Sequence, residues 1–546
     1  MNTETGKRKI SRSAALILSC ILFVFAVALA VYYILGPFAG EFHSDCTDTI
    51  CWANATVESG EIVSSTYYYS AILPFGGQLV MIPFIWIFGF SMKAHLAGMI
   101  VFSLILAAAL FYFYRSAGMG LAWAFFYSAV TILSFFSSAK MREIFFGHVI
   151  YYSLGILFFA ISAGTAFRFF RNGGDGTGKI TAKAGIYACL FFALSLFIAS
   201  DGFQMIVLST APVFVAIAAE LLLDGKRNFG SVKGLKPVFF LAVGAVFTLA
   251  GLLLLKLVSH GVEAGYESGY STYDDMGKWF ENLSVFPKSF FTLIGVDIRK
   301  RDPVFSLDSA LSILRMVFGT SVLVIPAVMA VNYRRIKSRP VRITVIAHLF
   351  VSGFVMFGFV FGNLSTANWR LIPMFGTAVI TSCVCAWEML GHSRVPARIS
   401  VAVSALILSA AMLSGTGALT ASAGQSGNRY LYELSDYLQQ ESLTYGYADY
   451  WESQAISLIL GPDVKVRCVR FGLGNDIEMY PYQTDRKWYD GSDGSDRYFM
   501  ILSSSDRIKY VASDSYKAVS SDFTGEEKIG DYYVMVFSSN PLGYSQ

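Results

Sequence analysis

Two carboxylates, Asp45 and Asp48, stand three residues apart in HSDCTDTICW, which begins a few residues after an apolar run of about twenty residues. A carboxylate at a bilayer surface can act as a general base that deprotonates an incoming hydroxyl group. If the stretch is helical, residues i and i+3 share one face, so both acids reach the same place. The alternative is that Asp45 only caps a short helix running through Thr49 and Trp52.

Further ionisable residues occur in later links between apolar runs: Lys140, Arg142, Glu143, His148, Asp201 and Arg370. Lys, Arg and His can bind phosphate oxygens through charge-assisted hydrogen bonds. Ionisable residues at a membrane edge are costly when they face lipid, so they usually line a water-filled site. Simpler roles stay open: interfacial anchoring for Arg142, Glu143 and Arg370, and a turn-forming Asp-Gly for Asp201.

The composition indicates the elements that must position these residues. The chain has 546 residues, of which 55% are hydrophobic and 15% charged, with a mean hydropathy of +0.53. Soluble domains carry about 25% charged residues. The apolar residues come in blocks of about twenty, the length of a helix that crosses a bilayer. We therefore expect a polytopic α-helical membrane protein, and no motif suggests a nucleic-acid partner.

Eleven spans can be read from the sequence. The block at 71–90 is not counted, because Pro74, Gly76, Gly77 and Pro83 interrupt it, and we interpret it as juxtamembrane or re-entrant. The eleven blocks are 14–35, 94–114, 121–138, 145–168, 184–200, 203–223, 237–257, 310–331, 343–361, 371–390 and 400–420.

Four short links between these spans are rich in Lys and Arg: RFFRNGGDGTGKITAK, DGKRNFGSVKGLK, NYRRIKSRPVR and GHSRVPAR. The positive-inside rule places them, together with the N-terminus at 1–13, in the cytoplasm. The transmembrane domain then covers 14–420, with outer loops at 36–93 and 258–309. Cys46 and Cys51 share the first outer loop, and whether they pair stays open.

The tail from 421 to 546 has a different composition, with 18 acidic and 11 basic residues and a net charge of −7. RYLYELSDYLQQESL has the spacing of an amphipathic helix. VKVRCVRF, RYFMIL and DYYVMVF are rich in β-branched and aromatic residues, which favours strands. We expect a small α/β domain on the extracytoplasmic side.

This layout resembles the GT-C class of membrane glycosyltransferases. The features are a long first outer loop opening with acids, a second outer loop with an acid and a histidine, an odd number of spans and a C-terminal outer domain. The class includes oligosaccharyltransferases, protein O-mannosyltransferases and lipid A aminoarabinose transferases. HSDCTD differs from the sharper Asp-Glu and Asp-x-Asp pairs of some branches, so the resemblance leaves the need for a divalent cation open.

The resemblance implies transfer of a sugar from a polyprenyl-phosphate donor to a glycan, lipid or protein acceptor at the outer face of the cell membrane. It implies Asp45 as the base, with Asp48 as the alternative. It assigns the remaining residues to two groups: donor-phosphate binding by Arg370, Lys140 and Arg142, and acceptor or metal binding by Glu143, His148 and Asp201.

A different class of function is a transporter or flippase of lipid-linked glycans. Such proteins usually carry ionisable residues near the midpoints of their spans and contain inverted repeats. In this sequence the midpoints are nearly bare and the charges gather at one face, which favours the enzyme.

Overall fold

The computed structural model describes residues 2–172, 181–223, 236–262, 272–297, 303–392, 397–420, 428–472, 476–489 and 494–542. The chain forms two compact units. We call the first the span unit; it comprises Met1–Tyr33, Phe102–Leu255 and Tyr270–Thr420. We call the second the loop–tail unit; it comprises Ile34–Val101, Lys256–Gly269 and Ala421–Gln546.

Ten helices within the described residues are long and apolar enough to cross a membrane. The chain is therefore an integral membrane protein with the polytopic helical fold that the composition predicts. The ten are Ser13–Leu35, Met92–Ala117, Tyr151–Asn172, Ala182–Ser200, Phe203–Leu223, Pro237–Val258, Leu307–Val331, Arg339–Phe361, Asn368–Gly391 and Val401–Leu419.

An eleventh candidate is not a straight helix. Leu121–Ser134 and Ala139–Gly147 pass the same length and hydropathy test only as a pair, and they are bent by 119°. The expected span at 145–168 is therefore wrong at its start, because its helix begins at Tyr151. The cause is local: Ser138 caps a new helix, and Glu143–Gly147 forms a π-helical turn that ends at the extended residue His148.

The block at 71–90 contains the helix Gln78–Phe88, which has 11 residues with Pro83 inside it. A helix of that length rises only about 17 Å, roughly half of the hydrocarbon thickness. This agrees with leaving the block out of the span count.

The loop–tail unit combines helices with a six-stranded sheet. Its other helices are Asp48–Ser59, Arg429–Gln440, Tyr450–Leu460, Ser504–Ala512 and Asp514–Val519. The strands are β1 Tyr67–Tyr68, β2 Tyr445–Ala448, β3 Lys465–Phe471, β4 Ile477–Met479, β5 Thr484–Asp485, β6 Tyr498–Ser503, β7 Phe523–Ile529 and β8 Tyr532–Phe537. The predicted tail helix and the three predicted tail strands are all present, and the α/β class of this part is confirmed.

The six-stranded sheet has the order β4-β3-β2-β6-β8-β7. Strand β2 lies in its middle and pairs in parallel with both β3 and β6, and the remaining pairs are antiparallel. Its core is aromatic, with Tyr445, Tyr447, Tyr498 and Phe537 buried together.

Strand β1 belongs to the first loop, not to the tail. It pairs antiparallel with β5, so that Tyr67 lies opposite Asp485 and Tyr68 opposite Thr484. A segment from before the second span thus completes structure in the C-terminal part of the chain. The domain boundary at 421 stays a prediction, as does the side of the membrane on which each terminus lies. Three of the basic links that predict this orientation lie largely outside the described residues, which leave out 173–180, 224–235 and 393–396.

Candidate functional site

The acid pair lies at a junction of two helical turns in the loop–tail unit. Ser44–Thr47 forms a 3₁₀ turn, and the helix Asp48–Ser59 follows it directly. The backbone N–H of Asp48 donates to the carbonyl of Asp45. A 3₁₀ turn has three residues, so side chains at i and i+3 lie above one another. His43 and Thr47 occupy the N-cap positions, so the capping role considered for Asp45 is not the one this geometry gives it.

A tyrosine from the tail contacts the acid pair. The Tyr450 hydroxyl donates to Asp45 Oδ1 at 2.9 Å. Burial, and then the nearby carboxylates of Asp48 and Asp45, raise the pKa of Tyr450 well above its usual value. Tyr450 therefore stays protonated and acts as a hydrogen-bond donor. Its neighbour Trp451 accepts, through its carbonyl, a hydrogen bond of 2.7 Å from Ser44 Oγ.

The first loop is held to the tail by buried hydrogen bonds around Gln483. Trp52 Nε1 donates to Gln483 Oε1 at 2.8 Å, and Gln483 Nε2 donates to Ser70 Oγ at 2.7 Å. Tyr67 and Tyr69 are buried as well, so they are core residues and not the interfacial belt that is common for such rings. These contacts tie the helix that begins with Asp48 to the tail.

The two cysteines of the loop are both buried and are free thiols, so the pairing left open by the sequence is absent. Burial raises the pKa of Cys51 to about 12, which keeps it protonated and unreactive.

In the span unit, the segment Ser138–His148 brings together three of the expected residues. Lys140 Nζ lies 2.5 Å from Glu143 Oε2 and 4.6 Å from the centre of the Trp369 ring. His148 Nε2 lies 4.0 Å from Glu143 Oε1. Glu143 and His148 are buried. The group is thus a carboxylate between a cation and an imidazole, with the Trp369–Arg370 segment beside it.

Arg142 and Arg370 are buried against backbone oxygens. Arg370 Nη1 donates to the Asn363 carbonyl at 2.5 Å and to Thr366 Oγ1 at 2.9 Å. Arg142 Nη1 donates to the Phe136 carbonyl at 3.2 Å, and its guanidinium lies 5.8 Å from the Tyr33 ring. Both arginines therefore brace loops. Arg370 directly follows Trp369, whose ring lies under the Lys140 ammonium group.

Asp201 ends the helix Ala182–Ser200 and is buried. Gly202 follows it with φ +100°, a backbone conformation that glycine adopts readily. This is the Asp-Gly turn of the simpler interpretation. Asp45 and Asp48 belong to the loop–tail unit, whereas the other six expected residues belong to the span unit.

Two residues that lie beside the expected site residues, Tyr450 and Arg315, are not evident as candidates from the sequence. Tyr450 is 405 residues away from Asp45, and only its place in YGYADYW, just after the predicted tail helix, could have pointed to it. Arg315 lies inside the span Leu307–Val331 and donates to the Gly295 carbonyl at 2.8 Å. Gly295 in turn packs against Ser137, since a Cβ added at Gly295 would lie 2.1 Å from the Ser137 carbonyl oxygen. Arg315 is therefore close to the segment that carries Lys140.

Within the part of the chain that the structure describes, no three His, Cys, Asp or Glu side chains are grouped to hold a metal ion. Whether a divalent cation takes part remains a prediction left open. Sugar transfer needs a carboxylate base and cations for the leaving phosphate. Taken separately, the loop–tail unit contains carboxylates and the span unit contains buried cations.

No family model matches the chain, and no curated protein matches it. Solved structures do. The aminoarabinose transferase ArnT from Cupriavidus metallidurans bound to undecaprenyl phosphate is 12% identical, with a TM-score of 0.54 over 96% of this chain and 99% of that one. Its apo state gives a TM-score of 0.52 with the same identity and coverage. The Archaeoglobus fulgidus oligosaccharyltransferase is 12% identical over 91% of this chain and 72% of that one, with a TM-score of 0.43.

The likeness to ArnT extends over nearly the whole of both chains. It shows that this chain has the fold of a GT-C membrane glycosyltransferase, as the sequence layout predicts. Fold alone does not define an activity, so the residues of the site bear on the function together with the fold.

Proposed function

We propose that the chain is a glycosyltransferase that moves a sugar from a polyprenyl-phosphate-linked donor to an acceptor hydroxyl outside the cytoplasm. One observation carries the proposal: the chain has, from end to end, the fold of a transferase whose structure contains undecaprenyl phosphate. The acid pair at the start of the first loop supports it.

The loop–tail unit supplies the base. Asp45, held by the Tyr450 hydroxyl, takes the proton of the acceptor hydroxyl as the acceptor oxygen bonds to the sugar's anomeric carbon. The bond between that carbon and the phosphate oxygen breaks at the same time, and the polyprenyl phosphate leaves with the electron pair. Asp48, one 3₁₀ turn away, is the alternative base.

Within the span unit, positively charged side chains are the candidates to stabilise the leaving phosphate. Lys140 is the accessible candidate, because its side chain is 27% exposed while its partner Glu143 is buried. Arg370 and Arg315 add charge from the neighbouring segments. Glu143 and His148 then position Lys140, and Arg142 braces the loop through the Phe136 carbonyl.

The test is transfer of radiolabelled sugar from a polyprenyl-phosphate donor by the full-length protein in membranes. The double variant Asp45→Asn/Asp48→Asn keeps size and polarity, so it should reach wild-type expression and lose transfer. Equal transfer by the double variant and the wild type would remove the catalytic interpretation of HSDCTD.

A transporter of lipid-linked glycans makes the opposite prediction. It would move the labelled lipid across the membrane without consuming its sugar–phosphate bond. Measuring the intact donor and the released polyprenyl phosphate in the same reaction separates the two functions. Movement of intact donor with no release in any condition would favour the transporter.

A further inference from the structure

A polar cavity of about 130 Å³ opens in the loop–tail unit on the helix that begins with Asp48. This volume is about ten times the 10–15 Å³ that one water molecule requires. The cavity therefore has room for a larger polar group. Its polar lining comes from the helix Asp48–Ser59, the helix Tyr450–Leu460, the start of strand β3 and Trp488. It includes Asn54, Glu58, Gln454, Ser457, Lys465 and Arg467.

Arg467 has an unusual environment for an arginine of the tail. Its guanidinium lies 3.9 Å from the centre of the Trp488 ring and 5.7 Å from that of Tyr445. Its Nε atom is buried and has no hydrogen-bond partner within the described residues. Aromatic rings hold the plane of a guanidinium but accept none of its N–H groups in the way that an oxyanion does.

Other arginines of the tail are paired with carboxylates. Arg470 Nε lies 2.9 Å from Glu478, and the same kind of pair is formed by Arg429, Arg497 and Arg507. Those ion pairs are partly or largely exposed, where they contribute little. Arg467, by contrast with these four, is half-buried and faces a cavity, so its charge would benefit from an oxyanion.

The charges of the cavity favour a ligand with both an anionic and a neutral polar part. Lys465 and Arg467 give two positive charges against the single carboxylate of Glu58. Asn54 Nδ2 donates to Glu58 Oε1 at 2.9 Å, which forms an amide–carboxylate pair suited to sugar hydroxyls. Glu58 and Asp48 both act electrostatically on Cys51, which lies between them on the helix.

We propose that this cavity is an acceptor subsite that binds an acidic saccharide through its carboxylate or phosphate group. The inference rests on the proposed function in taking the bound saccharide as the acceptor. Arg467 and Lys465 bind the oxyanion, and Asn54 and Glu58 contact hydroxyls of the same or the next sugar. The helix Asp48–Ser59 then links the subsite to the acid pair, since Glu58 lies ten residues, about 15 Å of helix, from Asp48.

Calorimetric titration of the full-length protein in detergent tests the subsite without donor or turnover. The probes are glucuronate and glucose 6-phosphate, which carry a carboxylate and a phosphate at the same carbon, and neutral glucose. We expect one or both anions to bind and to be preferred over glucose by at least about tenfold. A preference for glucuronate indicates a uronic acid, and a preference for the phosphate indicates a phosphorylated sugar.

Arg467→Gln should weaken binding of the preferred anion by about tenfold or more. Arg470→Gln is the matched control, because it removes an exposed, already paired arginine from the same strand, and it should bind as the wild type does. Glu58→Gln should tighten anion binding about two- to threefold, since it removes a like charge at the edge of the cavity. A merely structural role of Glu58 predicts no tightening.

Absence of anion binding to the wild type, or equal binding by wild type and Arg467→Gln, overturns the subsite. If Arg467→Gln does not fold, the exposed Lys465→Gln decides instead, with an expected loss of about threefold and none as the contrary result. Because the titration uses no donor, its failure and the failure of sugar transfer are separate observations.

Discussion

The loop that carries Asp45 and the loop that carries Glu143 are alike in sequence and different in structure. Each places at least one carboxylate close to a histidine, and each lies beside an apolar block. In the first loop, Asp45 accepts a hydrogen bond from a neutral tyrosine hydroxyl and is half-buried. In the second, Glu143 is buried and lies 2.5 Å from a lysine.

Under the proposed function, the difference separates the carboxylate assigned as the base from the one that pairs with a cation. A neutral donor orients a carboxylate and leaves it able to take a proton, whereas a close ammonium group stabilises its charged form strongly. The acid of the first loop is thus suited to proton transfer, and that of the second to holding a cation in place. The predictions below test this contrast, beginning with the largest effect.

Asp45→Asn should lower turnover by roughly 10²- to 10⁴-fold, the range expected for loss of a general base. Asp48→Asn alone should cost less, because Asp45 keeps its contact with Tyr450. The measurement is sugar transfer in membranes normalised to expression. Asp436→Asn, an exposed acid of the same unit, is the control and should be neutral. A larger loss for Asp48→Asn would exchange the two roles.

Gln483→Ala should destabilise the loop–tail unit by about 3 kcal/mol, because it leaves the buried Trp52 N–H and Ser70 hydroxyl without this partner. The measurement is thermal unfolding of the full-length protein in detergent. Gln439→Ala, at an exposed position of the helix Arg429–Gln440, should leave the transition unchanged. The same shift in both variants would mean that the tie between first loop and tail contributes little.

The stability of the loop–tail unit should fall as the pH rises from 5 to 8. Burial, followed by the charge of Asp449, raises the pKa of Glu452 to about 7, even though Tyr532 donates to it at 2.8 Å. The folded state therefore binds a proton that the unfolded state releases near pH 4.5, and this contribution is lost as the pH approaches and passes 7. The loss should reach about 2.5 kcal/mol.

Glu452→Gln resembles the protonated acid, so it should flatten that pH dependence. Unfolding midpoints at pH 5, 6, 7 and 8 provide the comparison with the wild type. Parallel curves for the two proteins would assign the pH dependence to other groups.

Glu143→Gln should have the smallest effect, with turnover changed by less than about tenfold. Lys140 would lose its close partner but remain beside Trp369. Lys140→Gln should reduce turnover more, since it removes a charge proposed to meet the phosphate. A loss in Glu143→Gln equal to that of Asp45→Asn would break the contrast and make Glu143 catalytic.

Much of the fold could be predicted because its signals are local. A block such as 237–257 is long enough to span, and alternating residues in VKVRCVRF mark a strand, without reference to any other part of the chain. The start of the helix at Tyr151 could not be predicted, because Gly147 and His148 lie inside an apolar run that looks continuous in the sequence. The break there depends on the π-helical turn Glu143–Gly147, which ends at the extended residue His148.

The site was harder to predict because its partners are far apart in the chain. The sequence offered Asp45, but the tyrosine that orients it lies in the tail. It offered Glu143 and Lys140 as neighbours, but their spacing alone did not indicate that they neutralise each other. Arg315 was not identified as a candidate site residue, because it is a single charged residue inside an apolar block that is long enough to span the membrane.

The tie between Trp52 and Gln483 also has a consequence for how the protein is made. The two residues are 431 positions apart, and a ribosome adds about 5–20 residues per second. Roughly 20 to 90 seconds therefore pass between the synthesis of the tryptophan and that of its partner. Throughout that interval β1 lacks its partner strand β5, and the Trp52 N–H lacks its acceptor, Gln483 Oε1. The first loop therefore leaves the ribosome well before the segment that completes it.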